Sequence, residues 1–155
     1  MTRPGELKLK HLFQPGQIGK FKTSNMVKYG ACCVSNYNTR DGFITPRELA
    51  RMRVIAATGC GIITNQGAYP DPLGEGKSYF RQVAIFDDKF LPQFETIAQY
   101  IHDGGAVAIQ QILHAGRYGG IAGGLDAQFD AAIAATPDAA RRLAGATRNF
   151  PAVAV

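Results

Sequence analysis

Three places in the chain set reactive side chains where an apolar run ends. Cys32 and Cys33 follow the run over residues 26–31, Gln66 follows residues 61–64, and Gln111, His114 and Arg117 come off the apolar stretch 106–109. The last of these, Gln111-Ile112-Leu113-His114-Ala115-Gly116-Arg117, puts an amide, an imidazole and a guanidinium at the end of what reads as a buried strand. A side-chain amide both donates and accepts, so Gln111 suits the edge of a planar ring that alternates acceptors with a donor. Backbone amides and a small thiol beside the redox-active part of such a ring tune it through hydrogen bonding. Gly30 and Ala31, being small, let a backbone or a ligand approach closely.

Each of these residues has a plainer reading when taken singly. Gln111 reads as a buried amide satisfied by neighbouring strands, and Cys32, Cys33 and Cys60 as packed or loop thiols. His114 reads as a loop anchor and Arg117 as a surface cation. An odd number of cysteines with no C-x-x-C pair, and histidines scattered at 11, 102 and 114, give no support to a disulfide scaffold or a metal site. The net charge of +5 gathers before residue 54. It suits phosphates or an acyl-CoA tail, but such a surplus is more often a solvated surface, and no nucleic-acid motif accompanies it. Neither a long apolar span nor a secretory leader is visible, so the expectation is a cytoplasmic protein with no membrane partner.

The elements that must position these groups follow from punctuation and period. Turn signals at Pro15-Gly16 and Gly19 predict a small hairpin in the entry segment. A first core strand is expected over residues 26–32. Thr45-Pro46-Arg47-Glu48 reads as a capped helix start, with Leu49, Met52, Ile55 and Ala56 on one face and a stop at Gly59. A short apolar strand at 61–64 leads to a long Gly/Pro-rich loop over 66–86, a length that is usually functional or disordered. A second helix begins near Asp87-Asp88, tolerates Pro92 only in its first turn, and ends at Gly104-Gly105 before a third strand over 106–113.

The order is βαβαβ, with strands apolar at nearly every position, as parallel strands covered on both faces read. Two architectures share it, a doubly wound sheet and part of a (β/α)8 barrel. Gly59-Cys60-Gly61 begins like a dinucleotide fingerprint, but it lacks the third glycine and precedes a strand instead of following one. In a barrel the strand ends converge on one face, which would bring residues 31–33, 65–66 and 111–117 toward one pocket.

The segments Leu12-Phe13-Gln14-Pro15, Ile18-Gly19, Asn25, Asp41-Gly42-Phe43-Ile44-Thr45, Gly61-Ile62-Ile63 and Gln111 to Arg117 occur in an order that resembles the N-terminal part of the Old Yellow Enzyme family. The likeness covers roughly residues 11–121 and is nearest the branch of 2,4-dienoyl-CoA reductases and aromatic acyl-CoA reductases. It implies an α/β fold made of about three βα units of a TIM barrel, with an N-terminal hairpin. It also implies FMN as cofactor, NADH or NADPH as reductant, and hydride transfer to an activated C=C bond of an enone or enoyl-CoA.

By that resemblance Ala31, Cys32 and Cys33 take the place of the loop after the first strand that contacts the flavin. Cys33 falls where relatives carry a cysteine or threonine that modulates the ring. Gln66 is the second-strand contact, Gln111 the pyrimidine-binding amide, and His114 and Arg117 belong to the loop beside the flavin. Two positions depart from the pattern: Met26 stands where the family has arginine, and Ala31 where it has proline.

After Ile121 the text changes. Residues 122–155 hold twelve alanines and no lysine, with weak helical pattern over 126–135 and 137–146. The family's substrate-binding pair, proton donor and phosphate loops are not placed there, and the iron-sulfur cluster of longer relatives has no ligands in this chain. The expected division is therefore a partial FMN-binding domain over 1–121 and an unmatched Ala-rich tail over 122–155, as a frame change or fusion would leave. The catalytic residues stay unassigned. The expected partner is a small-molecule or acyl-CoA substrate, with a homo-oligomer allowed. The competing expectation is a non-catalytic half-barrel that needs a partner or aggregates.

Overall fold

The computed structural model describes residues 8–34, 37–73 and 76–119. The Ala-rich tail and its two weak helices lie outside the described residues. The expected hairpin is present: β1 (Gly16–Ile18) pairs antiparallel with β2 (Phe21–Thr23), Gly16 opposite Thr23 and Ile18 opposite Phe21. Gly19, at φ +57°, takes the left-handed conformation that the tight reversal needs.

Three parallel strands follow, β3 (Lys28–Tyr29), β4 (Ile62–Ala68) and β5 (Val107–Ile112), in the order β3-β4-β5. Lys28 pairs with Ile62 and Tyr29 with Ile63. Between β4 and β5 the bonds Val107 N to Gly61 O (3.0 Å) and Leu113 N to Ala68 O (2.9 Å) advance together along both strands, the mark of a parallel pair. Helix α1 (Pro46–Ala56) joins β3 to β4, and α2 (Leu91–Asp103) joins β4 to β5.

The expected first strand, 26–32, shrinks to two residues. Its entry is taken by Asn25, whose Oδ1 accepts from Val27 N (3.0 Å) and Gly61 N (2.9 Å) while its Nδ2 donates to Gly59 O (2.8 Å). Gly61 permits this staple, since a Cβ there would lie 2.3 Å from Asn25 O.

The second strand is longer than its apolar core suggests. It continues past Thr64 through Asn65, Gln66 and Gly67 to Ala68, every residue buried, with β5 along one edge and with partners for Asn65 Nδ2 on Gln110 and for Gln66 Nε2 on Glu48. The expected loop therefore starts after Ala68. Only this central strand is wholly buried. β5 has exposed Gln111 and Ile112, so the expectation of strands covered throughout holds for β4 alone; β3 and β5 are sheet edges among the described residues.

Helix α1 turns Met52, Ala56 and Glu48 inward, with Leu49 and Ile55 half-buried. Thr45 donates its hydroxyl to Tyr37 O, and the Glu48 carboxylate turns into the interior. Helix α2 is preceded by a 3-10 turn at Asp88–Phe90 that Asp87 caps through Lys89 N (3.0 Å), and Pro92 lies in the first turn, as its missing N–H requires. Ile97 and Ile101 are its buried stripe.

The chain divides into two compact units. The first holds the hairpin, α1, α2 and most of the parallel sheet, over residues 1–32, 46–66 and 92–111. The second, over the described residues of 33–45, 67–91 and 112–119, is built on Phe90, whose ring meets Phe43 at 4.7 Å and Phe86 edge-on at 5.1 Å.

Candidate functional site

Within the first unit a buried polar chain runs from the end of β4 to the end of β3. Glu48 is 0 % exposed and Gln66 1 %. A carboxylate so placed must be partnered. Arg51 donates to it through Nε (2.7 Å) and Nη2 (2.5 Å), and Gln66 through Nε2 (2.9 Å). The remaining arm of the guanidinium donates to the Tyr29 hydroxyl at 3.3 Å.

Burial alone would lower Arg51, but the hydrogen bonds and charge of Glu48, with a smaller contribution from Tyr29, raise it above its ordinary value. Tyr29 is also raised above its ordinary 10.0, by burial first and then by the neighbouring Cys32 thiol, with Arg51 opposing.

On β5 the two glutamines alternate, as a strand requires. Gln110 is half-buried and committed: its Oε1 accepts from Asn65 Nδ2 (2.8 Å), and its Nε2 donates to Gln66 O (2.8 Å) and Gln111 O (2.7 Å). Gln111 is exposed, and its amide makes no hydrogen bond among the described residues. Ala31 is half-buried and Cys32 exposed on the loop after β3.

In the second unit, Gln82 organises the segment after β5. It is fully buried, and its Nε2 donates to Gly67 O (3.1 Å) and Leu113 O (3.2 Å), while its Oε1 accepts from Ser78 N (2.6 Å). Ala115 N donates to Gly76 O at 2.8 Å. Gly116 N donates to His114 Nδ1 (2.9 Å), which leaves the neutral ring's proton on Nε2, facing Asp71 Oδ2 at 3.9 Å. The Gly/Pro-rich loop is thus fastened to the His-Ala-Gly-Arg segment. Cys33 is half-buried in this unit, and Arg117 falls in the 3-10 turn Gly116–Tyr118, its side chain lying outside the described residues.

Sequence reasoning singles out Gln111 and the loop residues as candidates but not Glu48, Arg51, Gln82 and Gln110, whose side chains bond to Gln66, Tyr29, the Leu113 carbonyl and the Gln111 carbonyl. Glu48 was legible only as a helix-start residue. A signal existed all the same, since an acidic residue four before Met52 and eight before Ala56 interrupts an otherwise apolar helix face. An open groove of about 430 Å³ lined by Leu12, Phe13, Asn25, Thr58, Gly59 and Cys60 lies at the beginnings of β3 and β4. In a parallel β/α fold the chemistry belongs at the other ends. Among the described residues no helix is long and apolar enough to cross a membrane.

The model of the NADH:flavin oxidoreductase / NADH oxidase family matches residues 11–148, a span that passes beyond Ile121 into the Ala-rich segment. An NADH oxidase of Thermoanaerobacter brockii is 31% identical over 107 residues, 69% of this chain and 16% of that protein. Among solved structures, 2-naphthoyl-CoA reductase in complex with 2-naphthoyl-CoA superposes with a TM-score of 0.66 at 35% identity, over 71% of this chain and 16% of that one. Old Yellow Enzyme from Pichia sp. AKU4542 gives a TM-score of 0.62 at 21% identity, over 70% of this chain and 27% of that one. The chain spans about a sixth of the length of the curated relatives it matches. A βαβαβ run in sequential order fits half of a doubly wound sheet as well as three barrel units, and these likenesses decide for the N-terminal portion of a TIM barrel.

Proposed function

This chain belongs to the NADH:flavin oxidoreductase / NADH oxidase family, and from that premise we propose that residues 1–121 carry the ring-contacting strand ends of an FMN-dependent NAD(P)H oxidoreductase of the ene-reductase type. The observation that carries this reading is the contrast on β5: Gln110 spends both ends of its amide on the sheet, whereas the amide of Gln111, one residue on and exposed, bonds to none of the described residues. A free amide with one donor and one acceptor group fits the pyrimidine edge of a flavin.

Gln111 would hold that edge, with Ala31 leaving room for close approach and Cys32 and Cys33 beside the ring. Gln66 is buried and gives its Nε2 to Glu48, so it would shape the wall behind the ring from within the sheet. His114 and Arg117 would belong to the segment beside the ring, with Arg117 adding a cation. Bound FMN, once reduced by NADH or NADPH, supplies hydride for the β-carbon of an activated C=C, in an enone or an enoyl thioester such as an acyl-CoA. The likeness to a reductase solved with 2-naphthoyl-CoA supports the acyl-CoA class.

Titration of the purified chain with FMN tests the reading. Saturable uptake of one FMN per chain is expected, and a chain that takes up none overturns it. A second reading, a non-catalytic half-barrel that associates through its sheet edge, is favoured by Ile112, 65% exposed, and Ile109, 40% exposed, on β5. For it, sedimentation would show self-association that Ile112→Lys abolishes, in a chain that stays colourless.

A further inference from the structure

We propose that Glu48 is a positioning residue of the candidate site, fixing the Gln66 amide directly and the Tyr29–Cys32 corner through Arg51; the proposal rests on the flavin reading above. Helix α1 presents Glu48, Met52 and Ala56 to the interior on one stripe. Packing alone calls for an apolar residue at all three positions. A carboxylate there must be desolvated, and exchanging such an ion pair for apolar side chains commonly leaves stability unchanged or improved. Stability therefore gives no reason for Glu48 and Arg51.

Their geometry supplies one. Gln66 Nε2 is drawn to Glu48 at 2.9 Å, which turns its Oε1 the other way and removes the amide's freedom to flip. The same carboxylate holds two nitrogens of Arg51, so the guanidinium plane is set and its third arm meets Tyr29 Oη at 3.3 Å. Tyr29 in turn neighbours Cys32. One buried carboxylate thus sets side chains at the ends of two adjacent parallel strands, and Gln66 and Cys32 are two of the residues assigned to the ring. Preorganisation of this kind is what holds a binding constellation in register.

The test compares the full chain with Glu48→Gln and with the double variant Glu48→Met/Arg51→Met, which removes the ion pair without leaving either partner buried and alone. Two readouts are taken: deuterium exchange at the Gln66 side-chain amide by NMR in the flavin-free chain, and FMN affinity with the bound flavin's absorption spectrum. The double variant is expected to melt like the parent, to exchange the Gln66 amide at least about tenfold faster, and to bind FMN about tenfold more weakly with a shifted spectrum, the size of effect that one lost hydrogen bond carries. An unchanged exchange rate overturns the positioning role, as does faster exchange with unaltered FMN affinity and spectrum. If the parent chain itself binds no FMN, the functional reading fails first and this inference with it.

Discussion

His114 lies so close over Gly76 that a Cβ on the glycine would stand 2.3 Å from the imidazole Cδ2 and 2.7 Å from Asp71 Oδ2. The glycine is needed for room: the loop backbone passes beneath the ring and receives Ala115 N on its carbonyl at 2.8 Å. Gly76→Ala therefore turns the half-exposed imidazole away and breaks its bond from Gly116 N. Because that ring can swing into solvent, the stability cost is expected to stay below about 1 kcal/mol, while the His114 ring signals shift in NMR and FMN affinity falls. A variant with an unmoved imidazole would contradict the contact.

Gln82 offers the opposite case, a polar side chain with no route to solvent. Truncation in Gln82→Ala leaves the Leu113 carbonyl and the Ser78 N–H without this partner, while the Gly67 carbonyl keeps the Tyr79 hydroxyl at 3.0 Å. Unsatisfied buried groups cost about 1–3 kcal/mol each, so a loss of at least about 2 kcal/mol is expected in urea unfolding. A loss under about 0.5 kcal/mol would mean that water or a rearranged loop replaces the amide.

How far the sequence reaches is clear from these two residues. The strands, helices and their order were legible because apolar period and punctuation at Pro46, Gly59, Pro92 and Gly104-Gly105 act locally. The end of β4 was not, since Thr64-Asn65-Gln66 is polar by composition and becomes strand only because Gln110 and Glu48 supply partners from 45 and 18 positions away. Gln82 and Glu48 were hidden for the same reason. A buried amide and a surface amide have the same letter, and only the distant atoms they meet tell them apart. Motif and resemblance name candidate residues, while Gln82 and Gln110, bonded to the backbone around them, carry no local mark.

The Tyr29 hydroxyl gives a pH signature. Its pKa is raised in the folded chain above the ordinary 10.0, first by burial. Ionisation therefore favours the unfolded chain: the contribution of the neutral phenol is fully present below the unfolded value and is lost as pH rises through the folded one. The stability difference between the parent chain and Tyr29→Phe should be flat below about pH 9 and should shrink above about pH 10. Urea unfolding of both proteins across that range checks it. A difference that grows with pH would mean that Arg51, and not burial, governs the phenol.

Adjacent Gln110 and Gln111 should separate fold from binding. Gln110→Ala removes the acceptor of Asn65 Nδ2 and the donor to Gln66 O, in the interior of the parallel sheet. A loss of about 2 kcal/mol follows from two such bonds. Gln111 is exposed and its amide bonds to none of the described residues, so Gln111→Ala should stay within about 0.5 kcal/mol of the parent chain and yet weaken FMN binding about tenfold or more, the equivalent of about 1.4 kcal/mol of lost ring contact. Thermal melts and flavin titrations on the same samples measure both. Alternation along one strand is the cause of the contrast, because successive side chains leave opposite faces and Asn65 of the neighbouring strand meets the side chain of Gln110. If instead Gln111→Ala melts early and binds FMN normally, the strand has been read one residue out of register, and Gln110 becomes the amide to test against the ring.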